Sequence, residues 1–265
     1  MNSDRNKKEN RKALKVFIPV IIACALAGAL IGGFSSTETA RELAVKINDI
    51  CERVMYAAAP YTVMIVIISG LAAGFIYYRS ASAAIRDSDK EKDEDMQYEL
   101  YIKADENVSR GIMIIGVSEI LSLLFFSIMV AYIEAYIKNN AFLYTSAMVV
   151  FIVGNFVRLK VQQIMVDFQK MMNPEKRGSV FDLNFRKKWE ESCDEMEKMV
   201  IYKSAYNAYK TAMTACGTVF VALMLCSFIF DYGPVPATAV GIIWLSIVIA
   251  YYREAMRLGK DKINL

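Results

Sequence analysis

The chain of 265 residues contains no histidine. Ser-His triads, HExxH zinc hydrolases and proton relays through imidazole are therefore excluded. A Gly-rich phosphate-binding loop is missing too, which removes the nucleotide-hydrolysing folds that depend on one. Proline is scarce, at five residues. Pro19 and Pro60 lie close to the ends of apolar stretches, so neither interrupts a long helix in mid-course.

What is present is apolar, at 55% of residues. A soluble core would spread such residues at period 2 or 3.6. Here they gather into blocks of about 20, the length at which a helix crosses a ~30 Å hydrocarbon layer. Six blocks run from about 14–34, 58–78, 111–133, 141–157, 212–230 and 237–252. Lipid offers no water to satisfy backbone N–H and C=O groups, so each block must be helical, and the blocks are too long for barrel strands. The expected fold is all-α: a polytopic membrane protein of six transmembrane helices. It forms a single membrane domain over 1–265, with helical cytoplasmic extensions in the loops 79–110 and 158–211.

Orientation follows from Lys and Arg. There are six up to Lys15, six in 79–110, eleven in 158–210 and four from Arg253 onward, so 27 of the 31 fall on one side. Only Arg41, Lys46, Arg53 and Lys138 fall on the other. Basic flanks stay in the cytoplasm, which places both termini there and makes the cell membrane the expected location. The lipid bilayer is the first expected partner. The basic balance reports topology, so no nucleic acid is expected.

Interface anchors agree with this arrangement. Tyr77-Tyr78-Arg79 and Tyr251-Tyr252-Arg253 mark the inner side, and Tyr132, Tyr136, Phe142 and Tyr144 the outer. Ile21-Ile22-Ala23-Cys24 fits a lipobox, but the apolar run continues to Phe34, so the first block reads as a span. Among the other cysteines only Cys51 faces the oxidising side, with Cys193 inside and Cys216 and Cys226 in the fifth span. No intrachain disulfide is expected.

Between the spans the chain reads as helix. Ser35 with Glu38 offers a capping box, followed by Leu43, Ile47, Ile50 and Val54 at helical spacing; this segment either lies on the membrane, runs into the second span or is a solvated connector. The acids from Asp87 to Asp95 lack the central Gly and closing Glu of a calcium loop and read as a solvated linker. From Phe185, the positions Trp189, Cys193, Met196 and Val200 repeat every three to four residues, with pairs Lys187–Glu191 and Asp194–Lys198 at i,i+4. One long amphipathic helix is expected to run to Lys210 and into the fifth span. Trp189, Tyr202, Tyr206 and Tyr209 would form either a docking face or a packing face against other juxtamembrane helices.

The same loop carries a resemblance: Asn173-Pro174-Glu175-Lys176-Arg177-Gly178-Ser179-Val180, then Phe185, Lys188-Trp189, Glu191-Ser192-Cys193-Asp194-Glu195, and Tyr202 to Tyr209. These residues resemble a bacterial membrane family catalogued as domain of unknown function 3169. The resemblance implies a multi-span protein found mainly in Gram-positive bacteria. It implies no activity, cofactor or catalytic residue.

Within the lipid, Glu119 stands out, about eight residues or ~12 Å from the inner end of the third span. A carboxylate there must be protonated or partnered, and such acids often mark ion or substrate paths. Ser69, Ser118, Ser122, Thr214 and Ser246 fall at similar depth, with Asn155 and Arg158 nearer the inner surface. The candidate intramembrane site is Glu119 with Ser69, Asn155 and Ser246; the alternative is a single structural hydrogen bond. Gly28-x-x-x-Gly32 and Gly70-x-x-x-Gly74 permit close helix approach, each against some other helix. Lacking histidine and a second intramembrane acid, the chain is not expected to be an enzyme, nor to bind a cofactor or metal. Two classes remain. One is an accessory or regulatory component that works through its cytoplasmic loops with a membrane or cytosolic protein, such as a transporter ATPase or a regulator. The other is a transporter or exporter subunit built around Glu119.

Overall fold

The computed structural model describes residues 2–35, 37–230 and 232–261, and among them there is helix and no strand. Seven helices follow in order: α1 (Asn2–Ser35), α2 (Glu38–Ser88), α3 (Glu94–Ala131), α4 (Ile133–Met172), α5 (Phe185–Glu191), α6 (Glu195–Cys226) and α7 (Val235–Asp261). Five of them, α2, α3, α4, α6 and α7, are long and apolar enough to cross a membrane by length and composition. The sixth expected span, 14–34, lies in α1, several of whose side chains fall outside the described residues. In the apolar windows of α6 and α7 no residue is buried inside the protein. Apolar surface turned outward on this scale calls for a lipid solvent.

The chain divides into two compact units, Cys51–Val200 and the pair Met1–Ile50 with Ile201–Leu265. In the first, α2, α3 and α4 form a three-helix bundle whose register can be read from its contacts. Gly70 meets Ser118, Gly74 meets Ile115 and Ser80 meets Asn107, so α3 descends antiparallel to α2. Phe126 stacks on Phe151 and Tyr101 reaches Met172, which sets α4 antiparallel to α3 and parallel to α2.

Small residues permit this closeness. A Cβ on Gly70 would overlap the side chain of Ser118, and one on Gly74 would lie 2.6 Å from Ile115 Cδ1. The second small-residue motif thus packs on α3. No described atom lies within 4 Å of a Cβ built on Gly28 or Gly32.

The reversal between α3 and α4 falls later than the helix boundary suggests. The chain bends at Tyr132 and keeps its direction until Asn140, where the backbone leaves helical geometry (φ −158°, ψ 53°). The apolar block expected at 141–157 begins where the chain turns. At that end Tyr136 stacks on Tyr56 (4.4 Å), its hydroxyl donates to the Tyr56 carbonyl, and Met129, Tyr144 and Ala147 complete a core. A second core, with Ala81, Ala84, Ala104, Val108 and Phe168, lies at the opposite end and extends past the apolar blocks.

In the other unit α6 and α7 pair antiparallel: Trp244 packs on Gly217 and Phe220, and Tyr251 stacks on Tyr209 at 4.5 Å. The connection turns at Gly233, whose φ of +68° suits glycine, and Tyr232 Oη donates to the Leu223 carbonyl at 2.6 Å.

Two local expectations need correction. Thr37, not Ser35, caps α2: its Oγ1 accepts from Ala40 N at 3.3 Å, while Ser35 Oγ donates back to the Gly32 carbonyl. The segment after it runs into the second span, since α2 is unbroken from Glu38 to Ser88. The helix expected from Phe185 to Lys210 is interrupted at residues 192–194.

Candidate functional site

Two groups of polar residues are assembled in the bundle Cys51–Val200, one between the spanning helices and one beyond them.

The first centres on Arg158, on α4, the largest fully buried side chain, with 1% of its surface exposed. Its Nη1 donates to Asn155 Oδ1 at 2.8 Å and to Ser122 Oγ at 3.2 Å across the α3–α4 seam. Ser122 Oγ itself donates to the Glu119 carbonyl one turn back. Glu119 is half-buried and its carboxylate lies near enough to act on the guanidinium charge, but the two do not form an ion pair. Arg158 Nε and Nη2 are buried with no hydrogen-bond partner. A buried cation with unused donors costs stability, so the group stands out from the packing around it.

Of the expected intramembrane site, Glu119 and Asn155 come together here. Ser69 does not: it is exposed and its hydroxyl returns to Val66 of its own helix. Ser246 belongs to the α6–α7 unit, where it is exposed and bonded to the Ile242 carbonyl. Both serines satisfy themselves locally, a choice that depth along a span does not reveal. Arg158, which the sequence placed with Asn155 nearer the inner surface in a possible polar cluster, is the centre of this one. Its position three residues after Asn155 and one turn from Gly154, where Ile67 packs closely, is the signal that could have found it.

The second group is the connection from Asn173 to Glu197. Gln163 on α4 receives both Ser179 Oγ (2.9 Å) and Val180 N (2.8 Å) on its Oε1. Arg177 N donates to Ser192 Oγ at 3.1 Å. Gly178 adopts φ +124°, a conformation L side chains rarely take, and the ring of Phe185 occupies the place a Cβ would need.

Lys176 turns inward, with 8% of its side chain exposed, to pair with Glu197 and approach Cys193 Sγ at 3.2 Å, beneath the ring of Trp189. Burial works against this ammonium, but its bonds to Glu197 and Cys193 outweigh burial and lift its pKa above the ordinary lysine value. Asp194 and Glu197 exchange bonds with each other's backbone N–H (2.7 and 3.0 Å), a reciprocal capping box that starts α6. This use of Asp194 replaces the expected pair with Lys198, whereas Lys187 and Glu191 do approach, at 3.9 Å. On the outside of the clasp, Glu175, Arg177, Lys188, Glu191, Ser192 and Asp194 line a charged pocket of about 710 Å³.

The aromatic stripe expected on one helix is divided. Trp189, on α5, is half-buried against Phe185 and Lys176. Tyr209, on α6, packs on Tyr251, while Tyr202 and Tyr206 are exposed.

These features define an all-helical protein with several helices suited to crossing a membrane and a folded, polar connection between two of them. Residues 10–255 match the model of a family described as "Protein of unknown function (DUF3169)", and the chain belongs to that family. No curated protein and no solved structure matches it.

Proposed function

We propose that this is a six-span protein of the cell membrane with both termini in the cytoplasm, acting as an accessory or regulatory component through its cytoplasmic face. One observation carries the reading: the polar ends of α2, α3 and α4 pack around their own core, and the clasp 173–197 is tied to α4 through Gln163, with a charged pocket at the surface. A connector that only joined two spans would gain nothing from ordering so many residues, since ordering each residue costs about 1–2 kcal/mol. A folded surface with three carboxylates and two cations suits a polar partner, such as a transporter ATPase or a cytosolic regulator.

The test of topology is labelling of single introduced cysteines on intact cells. Positions beside Lys90 and Lys188 should resist an impermeant thiol reagent, and labelling there overturns the orientation. For the docking role, cross-linking and pull-down from native membranes should recover partners with the natural chain and lose them with Arg177→Glu/Lys188→Glu. Recovery of the same partners by both chains removes the reading.

A specific observation also favours a second reading, a transporter or exporter subunit: the unused donors of Arg158 beside Glu119. Flux into reconstituted vesicles should then fall with Glu119→Gln. Equal flux, or none in either, removes it.

A further inference from the structure

Beyond the cluster and the clasp, one groove on the three-helix bundle holds charge with no protein partner. It lies between the parallel ends of α2 and α4 and has a volume of about 730 Å³. One wall carries Arg79, Ser82 and Arg86, spaced i, i+3, i+7 and so on a single face of α2. The other carries the apolar Ile164, Phe168 and Met171, with Tyr78 edge-on to Phe168 at 5.7 Å in the floor.

Arg79 has only the face of Phe75 near its guanidinium, at 5.8 Å, and neither it nor Arg86 forms an ion pair. Two carboxylates also line the groove. Asp167 is already held by Gln163 (2.8 Å) and Lys170 (3.0 Å), which leaves Asp89 at the far end. With Lys170 counted beside Asp167, three cations stand against two carboxylates here.

Ser82 adds an independent sign. Ser69, Ser118, Ser122, Ser127 and Ser146 all return their hydroxyls to the carbonyl three residues back. The Ser82 hydroxyl is buried and has no partner at all.

Height along the helix names the occupant. Arg79 directly follows the apolar block 58–78 and its Tyr77-Tyr78 anchor, so it sits where hydrocarbon ends. Ser82 is three residues further, ~4.5 Å along the axis, and Arg86 ~10.5 Å, spanning the headgroup layer. We propose that this groove binds the phosphate of an anionic phospholipid from the adjacent leaflet. Arg79 and Arg86 flank the phosphate, Ser82 donates its hydroxyl, and Ile164 and Phe168, at the height of Tyr78, meet the start of the acyl chain. The inference rests on the membrane reading of α2 and does not depend on the docking role of the clasp.

The experiment uses the purified full chain in neutral detergent, with native mass spectrometry of bound phosphatidylglycerol and phosphatidylcholine of matched chains. The natural chain should hold phosphatidylglycerol at least about tenfold more tightly. Arg79→Gln/Arg86→Gln should reduce it to the phosphatidylcholine level, and Ser82→Ala should weaken it several-fold. Lys103→Gln/Arg110→Gln, which removes equal charge elsewhere on α3, should change nothing. Arg86 is exposed and forms no ion pair, so Arg86→Gln alone serves if the double variant is poorly folded. Equal retention of the two lipids, or retention unchanged by the groove variants, overturns the proposal. So does displacement of phosphatidylglycerol by millimolar inorganic phosphate, which would point to a soluble ligand. Loss of partner capture in the Arg177→Glu/Lys188→Glu chain leaves this result untouched, so the two readings fail separately.

Discussion

A glycine and an arginine show how single residues set this bundle. Gly70 lets α3 approach until Ser118 fills the space a Cβ would take, whereas a Cβ on Gly116 of α3 would meet nothing within 4 Å. Gly70→Leu should therefore lower stability by about 1–3 kcal/mol through overpacking. Gly116→Ala should leave it unchanged or raise it by up to ~1 kcal/mol through helix propensity. Thermal unfolding in detergent separates the two, and equal effects would mean that the α2–α3 seam is not close-packed. Arg158 is the opposite case, a group whose burial is costly. Arg158 has no ion pair to break and holds two buried donors without partners, so Arg158→Met should not destabilise the purified protein. A loss above about 1 kcal/mol would mark the guanidinium as a structural tie and weaken the transport reading.

At the scale of elements, the break between α5 and α6 is the instructive case. The apolar positions Trp189, Cys193, Met196 and Val200 keep a helical period across it, so periodicity alone joins the two helices. Asp194-x-x-Glu197 was the available signal for a new helix start, and its residues read equally well as i,i+4 pairing partners. Competition for the Asp194 carboxylate decides between these: two unpaired backbone N–H groups at a helix start outweigh one exposed ion pair. Asp194→Ala should cost about 0.5–2 kcal/mol at this cap. Hydrogen exchange should accelerate in the first turn of α6 and stay unchanged in α7; protection at residues 195–198 equal to the natural chain would show the cap to be idle. The clasp before it was legible only as a set of unusual residues. Gly178 and Lys176 can be seen in the sequence, but nothing local says that one takes a positive φ and the other turns inward.

Taken as a whole, the molecule should respond to pH at its clasp before its apolar bundle. The hydrogen bond from Lys188, then that from Asn184 N, holds the Asp182 carboxyl below its ordinary value. Gln163 and Lys170 do the same for Asp167. A carboxyl depressed on folding contributes stability above its unfolded pKa, about 3.8–3.9, and that contribution is lost as pH falls through the lower folded value. Lys176 has the reverse sign: its contribution is complete below about 10.4 and is lost as pH rises through its raised folded pKa. Fluorescence of Trp189 in a Trp244→Phe background should therefore stay level from about pH 5 to 9 and change at both extremes. A transition near neutrality would mean that other groups hold the clasp.

The sequence by itself determined that the chain is helical and built from membrane-length apolar blocks, because lipid leaves the backbone no other way to satisfy its polar groups. It also carried enough of the loop 173–209 to mark the family. Which polar groups meet was decided only by the tertiary structure. The sequence placed Ser69, Ser246 and Glu119 at similar depth, but depth is one coordinate, and the azimuth of each helix follows from how glycines and alanines let neighbours pack. That packing turned Arg158 inward to Asn155 and Ser122, left Ser69 to its own helix, and opened the groove where Ser82 has no partner.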